Sequence, residues 1–161
     1  MTAAQPASAL AADLTRLAQD SAAAYIRGDI DTYLDLIDHD DDFTLMSPFG
    51  GPTVRGFVDT PEAREETRRF FARGGATVEV EQVLASGDLA VLVLIERQHG
   101  EVGGTPDQDW SLRVTLVLRC EPSGWVLVHR HADALVHPIS FDVLGVLARG
   151  ESAELATRRD A

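Results

Sequence analysis

The sequence predicts an α+β fold in which a curved, mostly antiparallel sheet wraps around N-terminal amphipathic helices and leaves a pocket between them. Three observations point there. Apolar residues recur at helical spacing through the N-terminal part of the chain. From Ala76 the hydrophobic period changes to two and holds for four successive segments. Helical patterns come first and strands afterwards, which is the order of an α+β chain and not of a parallel sheet.

The 161 residues suit one domain with a sizeable core. Lysine and arginine number 14 against 26 acids, giving a net charge of −12. Nucleic acid and anionic membrane both reward a basic surface, so neither is expected as a partner. No window approaches the roughly 18 apolar residues of a membrane span. The N-terminal stretch lacks a basic leader and does not read as a signal peptide. The single Cys120 cannot form an internal disulfide. Together these features fit a cytoplasmic protein.

In order along the chain, residues 1–8 are expected to be disordered. Leu10, Leu14, Leu17, Ser21 and Tyr25 then mark one face of a helix closed by Gly28. Asp29 or Asp31 can cap a second, short helix whose Leu34 and Ile37 face inward, with Tyr33 flanking them. The acidic run from Asp38 to Asp42 reads as a solvated loop, since it lacks the spaced ligands and glycine of a calcium loop. Short strands are expected at 43–47 and 52–56 around the turn PFGG. Thr60 as N-cap and Pro61 at the first position open a third helix, expected to run to Gly74-Gly75.

Four strands follow, at 76–85, 88–99, 109–120 and 125–133. Ser140 can cap a last helix over 141–149, ended by Gly150. The expected organisation is therefore a domain over 9–137, a C-terminal helix within 138–150, and a frayed tail at 151–161.

The tight EPSG turn assigns faces. With Cys120 opposite Trp125, a regular hairpin pairs Leu116 with His129 and Val114 with His131. Trp110, Leu112, Val114, Leu116 and Leu118 form the apolar face of their strand. Both histidines are therefore expected to face inward, with Arg130 outward. Three readings of the pair stay open. They are core histidines satisfied by backbone or by Asp133, pocket groups acting as acid, base or ligand contact, or metal ligands joined by Asp133, His99 or His137. An isolated H-x-H is a weak metal signal, and neither a metal nor a cofactor is expected.

The segments Tyr25-Ile-Arg-Gly28-Asp29, DDFTLMSPFGGP, TPEAREETRRFF and WVLVHRHAD, taken in order, resemble the SnoaL-like, nuclear transport factor two-like superfamily over about residues 10 to 135. The resemblance implies a cone-shaped α+β barrel enclosing a deep pocket. It also implies dimerisation through the outer sheet face, here the side bearing Arg113, Thr115 and Val117. Members of the superfamily include isomerases, cyclases, epoxide hydrolases, dehydratases and non-enzymatic assembly domains, so the fold does not decide the reaction. The isomerases carry an aspartate base just before a proline. The matching place here is Ser47, before Pro48, and the oxyanion tyrosine matches Ser21, which argues against steroid isomerisation by that machinery. The strand ending VHRHAD is similar to those of SnoaL-like proteins of unknown function and of kinase association domains.

The expected function is binding of a small organic molecule, with proton-transfer chemistry such as isomerisation, cyclisation or dehydration. The alternative is a non-catalytic binding or assembly module. His131 is the expected base or acid, with His129 or Asp133 orienting it and Tyr25 supplying a hydrogen bond. Trp110 and Val114 on the strand face, and Ser47, Phe49, Arg55 and Phe57 around the mouth, are the expected ligand contacts. Each has a plainer reading: packing for Trp110, Tyr25 and the phenylalanines, and a partner for the acidic loop for Arg55.

Overall fold

The computed structural model describes residues 7–151. The first helix, α1, spans Ala7–Ile26, so it begins before the expected end of the N-terminal disorder at residue 8. Residues 1–6 and the tail beyond 151 lie outside the described residues. Of the predicted stripe on α1, Leu14 and Ser21 are buried and Leu10, Leu17 and Tyr25 half-buried, with Ala18 buried beside them. Helix α2, Ile30–Leu36, is capped by Asp29, whose carboxylate accepts from the Thr32 amide at 3.3 Å. Its inward residues are Ile30 and Tyr33, with Ile37 buried just past its end. Tyr33 is thus a core residue and not the flank predicted.

Strand β1 covers Asp38–Met46 and β2 Val54–Arg55. The acidic run is therefore strand and not loop, a correction with a clear cause. Asp38 and His39 pair in parallel with the last strand, Asp40–Asp42 bulge from the ladder before it resumes at Thr44, and Asp40 meets Arg119 at 2.5 Å. Helix α3, Pro61–Phe70, begins on Thr60 and Pro61 as expected but stops four residues before Gly74. Phe71 is already extended and opens β3, Phe71–Ser86. The glycine at 74 serves close packing instead: a Cβ there would lie 2.5 Å from the Ile26 carbonyl oxygen and 2.7 Å from that of His99.

The remaining strands are β4 at Leu89–Val102, the short β5 at Gln108–Asp109, β6 at Leu112–Glu121 and β7 at Gly124–Asp133. The path through the sheet is β2-β1-β7-β6-β4-β3, with β5 paired to β4. All pairings are antiparallel except β1 with β7. The sheet is curved and unclosed, and α1 and α2 pack against its inner side. Gln19 of α1 ties down the β3 edge, donating to the Ala76 carbonyl and accepting from the Val78 amide, both at 2.8 Å. The core joins Leu14 and Ile30 of the helices to Leu92, Leu94, Leu116 and Leu118 of the sheet. Helix α4, Phe141–Ala148, is capped by Ser140 as expected and buries none of its residues.

One departure matters most. Cys120 does pair with Trp125 and Leu118 with Leu127, but the next partners are Val117 with His129, Leu116 with Arg130 and Thr115 with His131. Val128 is an extra residue, a β-bulge. Because side chains alternate along a strand, one extra residue moves everything after it to the opposite face. His129 and His131 therefore lie on the outer side of the sheet and Arg130 points inward, the reverse of the expectation.

Candidate functional site

Between α1, α2 and the concave sheet lies a cavity of about 190 Å3. Helix α1 contributes Leu17, Ser21 and Tyr25, α2 contributes Tyr33, and β1 contributes His39, Phe43 and Leu45. Leu116, Leu118 and Leu127 form part of its sheet wall, and Ser47, Phe49 and Phe57 come from the loops beyond β1 and β2. Phe49 keeps 59% of its surface exposed and so sits at the mouth.

Two polar pairs break this apolar wall. The Tyr33 hydroxyl and His39 Nε2 share a hydrogen bond of 2.9 Å. The His39 ring stacks on Phe57 at 3.8 Å between centroids and meets the edge of Phe43 at 4.7 Å. This setting disfavours the imidazolium: burial pulls the His39 pKa down to about 4, against the smaller opposing pull of Asp38 and Asp59. Burial likewise raises the pKa of Tyr33 and, with Arg130 and Thr67 opposing, that of Tyr25. At neutral pH the three groups are an uncharged imidazole and two intact phenols.

The second pair is ionic. Arg130 Nη1 and Nη2 donate to the two carboxylate oxygens of Glu96 at 2.8 and 2.7 Å. The Glu96 side chain is only 4% exposed, and the 23% left accessible on Arg130 belongs to a side chain that lines the cavity. Burial disfavours the guanidinium charge, but the facing carboxylate more than offsets this and the pKa of Arg130 ends above its ordinary value. A bidentate pair of this geometry is among the stronger interactions available to two side chains.

Of the residues expected at the site, Tyr25, Ser47, Phe49, Phe57 and Trp110 do line the cavity. The Trp110 indole donates to the Gly100 carbonyl at 3.0 Å. Val114 is buried in the core outside the cavity wall, and Arg55 is exposed on β2. The structure does not bring His129, His131 and Asp133 into the cavity. His129 Nδ1 lies 2.7 Å from the Thr44 hydroxyl. His131 is exposed in a shallow groove on the outer face, and Asp133 is held there by Arg113 at 2.9 and 3.0 Å. His99 and His137 lie instead beside Asp107 and Asp109. Among the described residues no group of three or more His, Cys, Asp or Glu is arranged to hold a metal ion.

The cavity also holds His39, Tyr33, Glu96 and Arg130, none of which the sequence pattern singled out. Only Glu96 offered a usable signal, a lone acid on the apolar, even-numbered face of β4 that continues Leu92 and Leu94.

The buried imidazole makes stability depend on pH with a definite sign. The unfolded chain binds a proton at His39 near pH 6.5, the folded chain only near 4. Stability is therefore full above 6.5 and declines as pH falls toward 4. The carboxylates with shifted pKa, such as Asp31 and Asp59, are lowered from 3.8 and act below that window. Urea midpoints measured from pH 7 to 4 are expected to fall less steeply for His39→Phe than for wild type. Parallel curves would show that the ring does not stay neutral.

A profile of the SnoaL-like domain matches residues 15–136. No curated protein sequence matches the chain. Among solved structures, a candidate dehydratase from the NTF2-like family of Streptomyces avermitilis aligns with TM-score 0.61 and 21% identity, over 82% of this chain and all of that one. The association domain of CaMKII from C. elegans aligns with TM-score 0.57 and 17% identity, over 78% and 96% of the two chains. An NTF2-like protein of unknown function from Pseudomonas putida gives TM-score 0.60 and 19% identity, over 86% and 94%. At such identities these likenesses establish the fold alone. No helix among the described residues is long and apolar enough to cross a membrane.

Proposed function

Because the chain belongs to the SnoaL-like domain family, we propose that its cavity binds a small, largely apolar organic molecule and that Tyr33, held by His39, transfers protons to and from it. The observation that carries this reading is a neutral imidazole hydrogen-bonded to a buried phenol in the wall of an aromatic cavity. With Nε2–H donating to the Tyr33 oxygen, the phenol O–H is left to donate to a ligand oxygen. As that proton moves to the ligand oxygen, the imidazole N–H stays in place and stabilises the tyrosinate left behind, and the tyrosinate is the base that takes a proton from the ligand's carbon and is restored to the phenol. Isomerisation, cyclisation and dehydration all need such a sequence.

The test is a thermal-shift panel of cyclic enones and hydroxy ketones, followed by mass analysis of each incubated compound. At least one is expected to stabilise the protein and be converted by it. His39→Gln is expected to retain binding and lose about 10²–10⁴-fold in turnover. Undiminished turnover in that variant would remove His39 from the mechanism.

A second reading is favoured by the likeness to the CaMKII association domain and by the closed Tyr33–His39 bond, in which each group already satisfies the other. In that reading the same cavity holds a ligand without consuming it, and the panel returns every bound compound unchanged. In either reading a second copy of the chain covers the outer sheet face, where Val93 keeps 37% of its surface exposed beside Thr115 and Val117. The exposed, unpaired Cys120 suits a reducing compartment, and the cytoplasm is the proposed location.

A further inference from the structure

We propose that the Arg130–Glu96 pair acts as a charge filter, so that the cavity accepts uncharged single-ring molecules and rejects carboxylates and ammonium ions of the same size. The inference rests on the ligand-binding reading above and names the class of ligand.

Size comes first. An engineered apolar cavity of roughly 150 Å3 takes benzene. The cavity of about 190 Å3 here therefore holds one ring with a few substituents. Its wall is largely aromatic and aliphatic, which suits the face of such a ring.

Charge comes second. Among the described residues that line the cavity, the carboxyl, guanidinium and imidazole groups belong to Glu96, Arg130 and His39 alone. The guanidinium is not a bare positive charge, because Nη1 and Nη2 each donate to one oxygen of the Glu96 carboxylate, at 2.8 and 2.7 Å, and the two charges cancel at close range. Nor can Glu96 readily move aside. It sits in β4 between two paired neighbours, opposite Val78 of β3 and Leu112 of β6. A carboxylate entering the cavity meets an arginine already neutralised and a fixed negative charge beside it. An ammonium meets the same situation with the signs exchanged. Either ion loses its hydration without gaining a partner, and an unpaired charge in an apolar site is strongly disfavoured. An uncharged ring bearing one hydroxyl or carbonyl loses little water and finds the phenols of Tyr25 and Tyr33.

The experiment compares p-cresol, benzoate and benzylamine by isothermal titration at pH 7.5, where the first is neutral and the others are charged. Wild type is expected to bind p-cresol at least tenfold more tightly than either ion. Since the neutral ring is also the more apolar, two variants isolate the ion pair. Glu96→Gln keeps the shape but frees the guanidinium charge, and benzoate is expected to gain at least tenfold relative to p-cresol. Arg130→Gln is expected to favour benzylamine in the same way, and circular dichroism verifies that each variant is folded. Benzoate or benzylamine binding wild type as well as p-cresol overturns the filter. So does an unchanged ratio of affinities between the ion and p-cresol in whichever variant folds. Failure of all three probes to bind also overturns the assignment of ligand class, while the enone panel decides separately whether the cavity binds anything.

Discussion

Arg130→Met lowers the free energy of unfolding by about 3–5 kcal/mol, the range seen when one member of a buried, hydrogen-bonded ion pair is removed. The loss comes less from the attraction forfeited than from what remains. Glu96, with a side chain 4% exposed, is left without its bidentate donor. It must either hold an uncompensated charge or take up a proton. For a chain of this size the change corresponds to roughly 6–20 °C in Tm. The double variant Arg130→Met, Glu96→Leu is expected to recover most of the loss, since a matched apolar pair often equals a buried ion pair in stability. Urea unfolding of wild type, both single variants and the double variant closes the cycle. A cost below about 1 kcal/mol for Arg130→Met, in the range of an exposed pair, would mean that solvent already reaches the pair.

That same arginine shows where the sequence stops being readable. The alternation in β6 is unambiguous, because Leu112, Val114, Leu116 and Leu118 are separated by Arg113, Thr115, Val117 and Arg119. The buried face follows at once and is the observed one. β7 opens on Trp125-Val-Leu-Val, four apolar residues in a row, which gives no alternation against which a slipped register can be noticed. The bulge falls within this run, at Val128. His129, Arg130 and His131 consequently exchanged faces, and the expected catalytic histidines gave way to an arginine.

The bulge in β7 has a counterpart in its neighbour. β1 pairs His39 with Leu127 and Thr44 with His129, so four residues, Asp40 to Phe43, stand against Val128 alone. Both strands bend at one place, and that bend turns His39 inward while Asp40 reaches Arg119. Four aspartates around one histidine read as solvated because each charge taken singly prefers water. Long-range pairing with the last strand on both sides of the bend, at Asp38 and His39 before it and at Thr44 after it, decides otherwise. Tyr25, Phe49, Phe57 and Trp110 were legible for the opposite reason. Helical spacing points Tyr25 at the hollow and the end of an apolar strand points Trp110 there without reference to a distant register, while Phe49 and Phe57 are the aromatic residues of the loops beside it.

The other large effect is expected at a position that the sequence marked correctly. Gly28 ends α1, and its amide bonds the Tyr25 carbonyl at 2.9 Å while the Asp29 amide bonds that of Ala24 at 3.0 Å, the two bonds of a Schellman motif. Its φ is +80°, and a Cβ there would lie 2.2 Å from the Phe71 carbonyl oxygen. Gly28→Ala therefore combines left-handed backbone strain with a clash against main chain that cannot swing away. A loss of about 3 kcal/mol or more is expected, against about 1–2 kcal/mol for the strain alone. Gly104→Ala separates the two contributions, because Gly104 has φ +82° and nothing within 4 Å of the added atom. The site should respond in parallel. Tyr25 and Phe71, with ring centroids 4.9 Å apart, both wall the cavity, and relief of the clash must move one against the other. Binding of p-cresol is thus expected to weaken in Gly28→Ala and to stay at the wild-type level in Gly104→Ala. Equal unfolding costs in the two variants would show that the helix end is not pressed against the start of β3, and that the position of Tyr25 is set elsewhere.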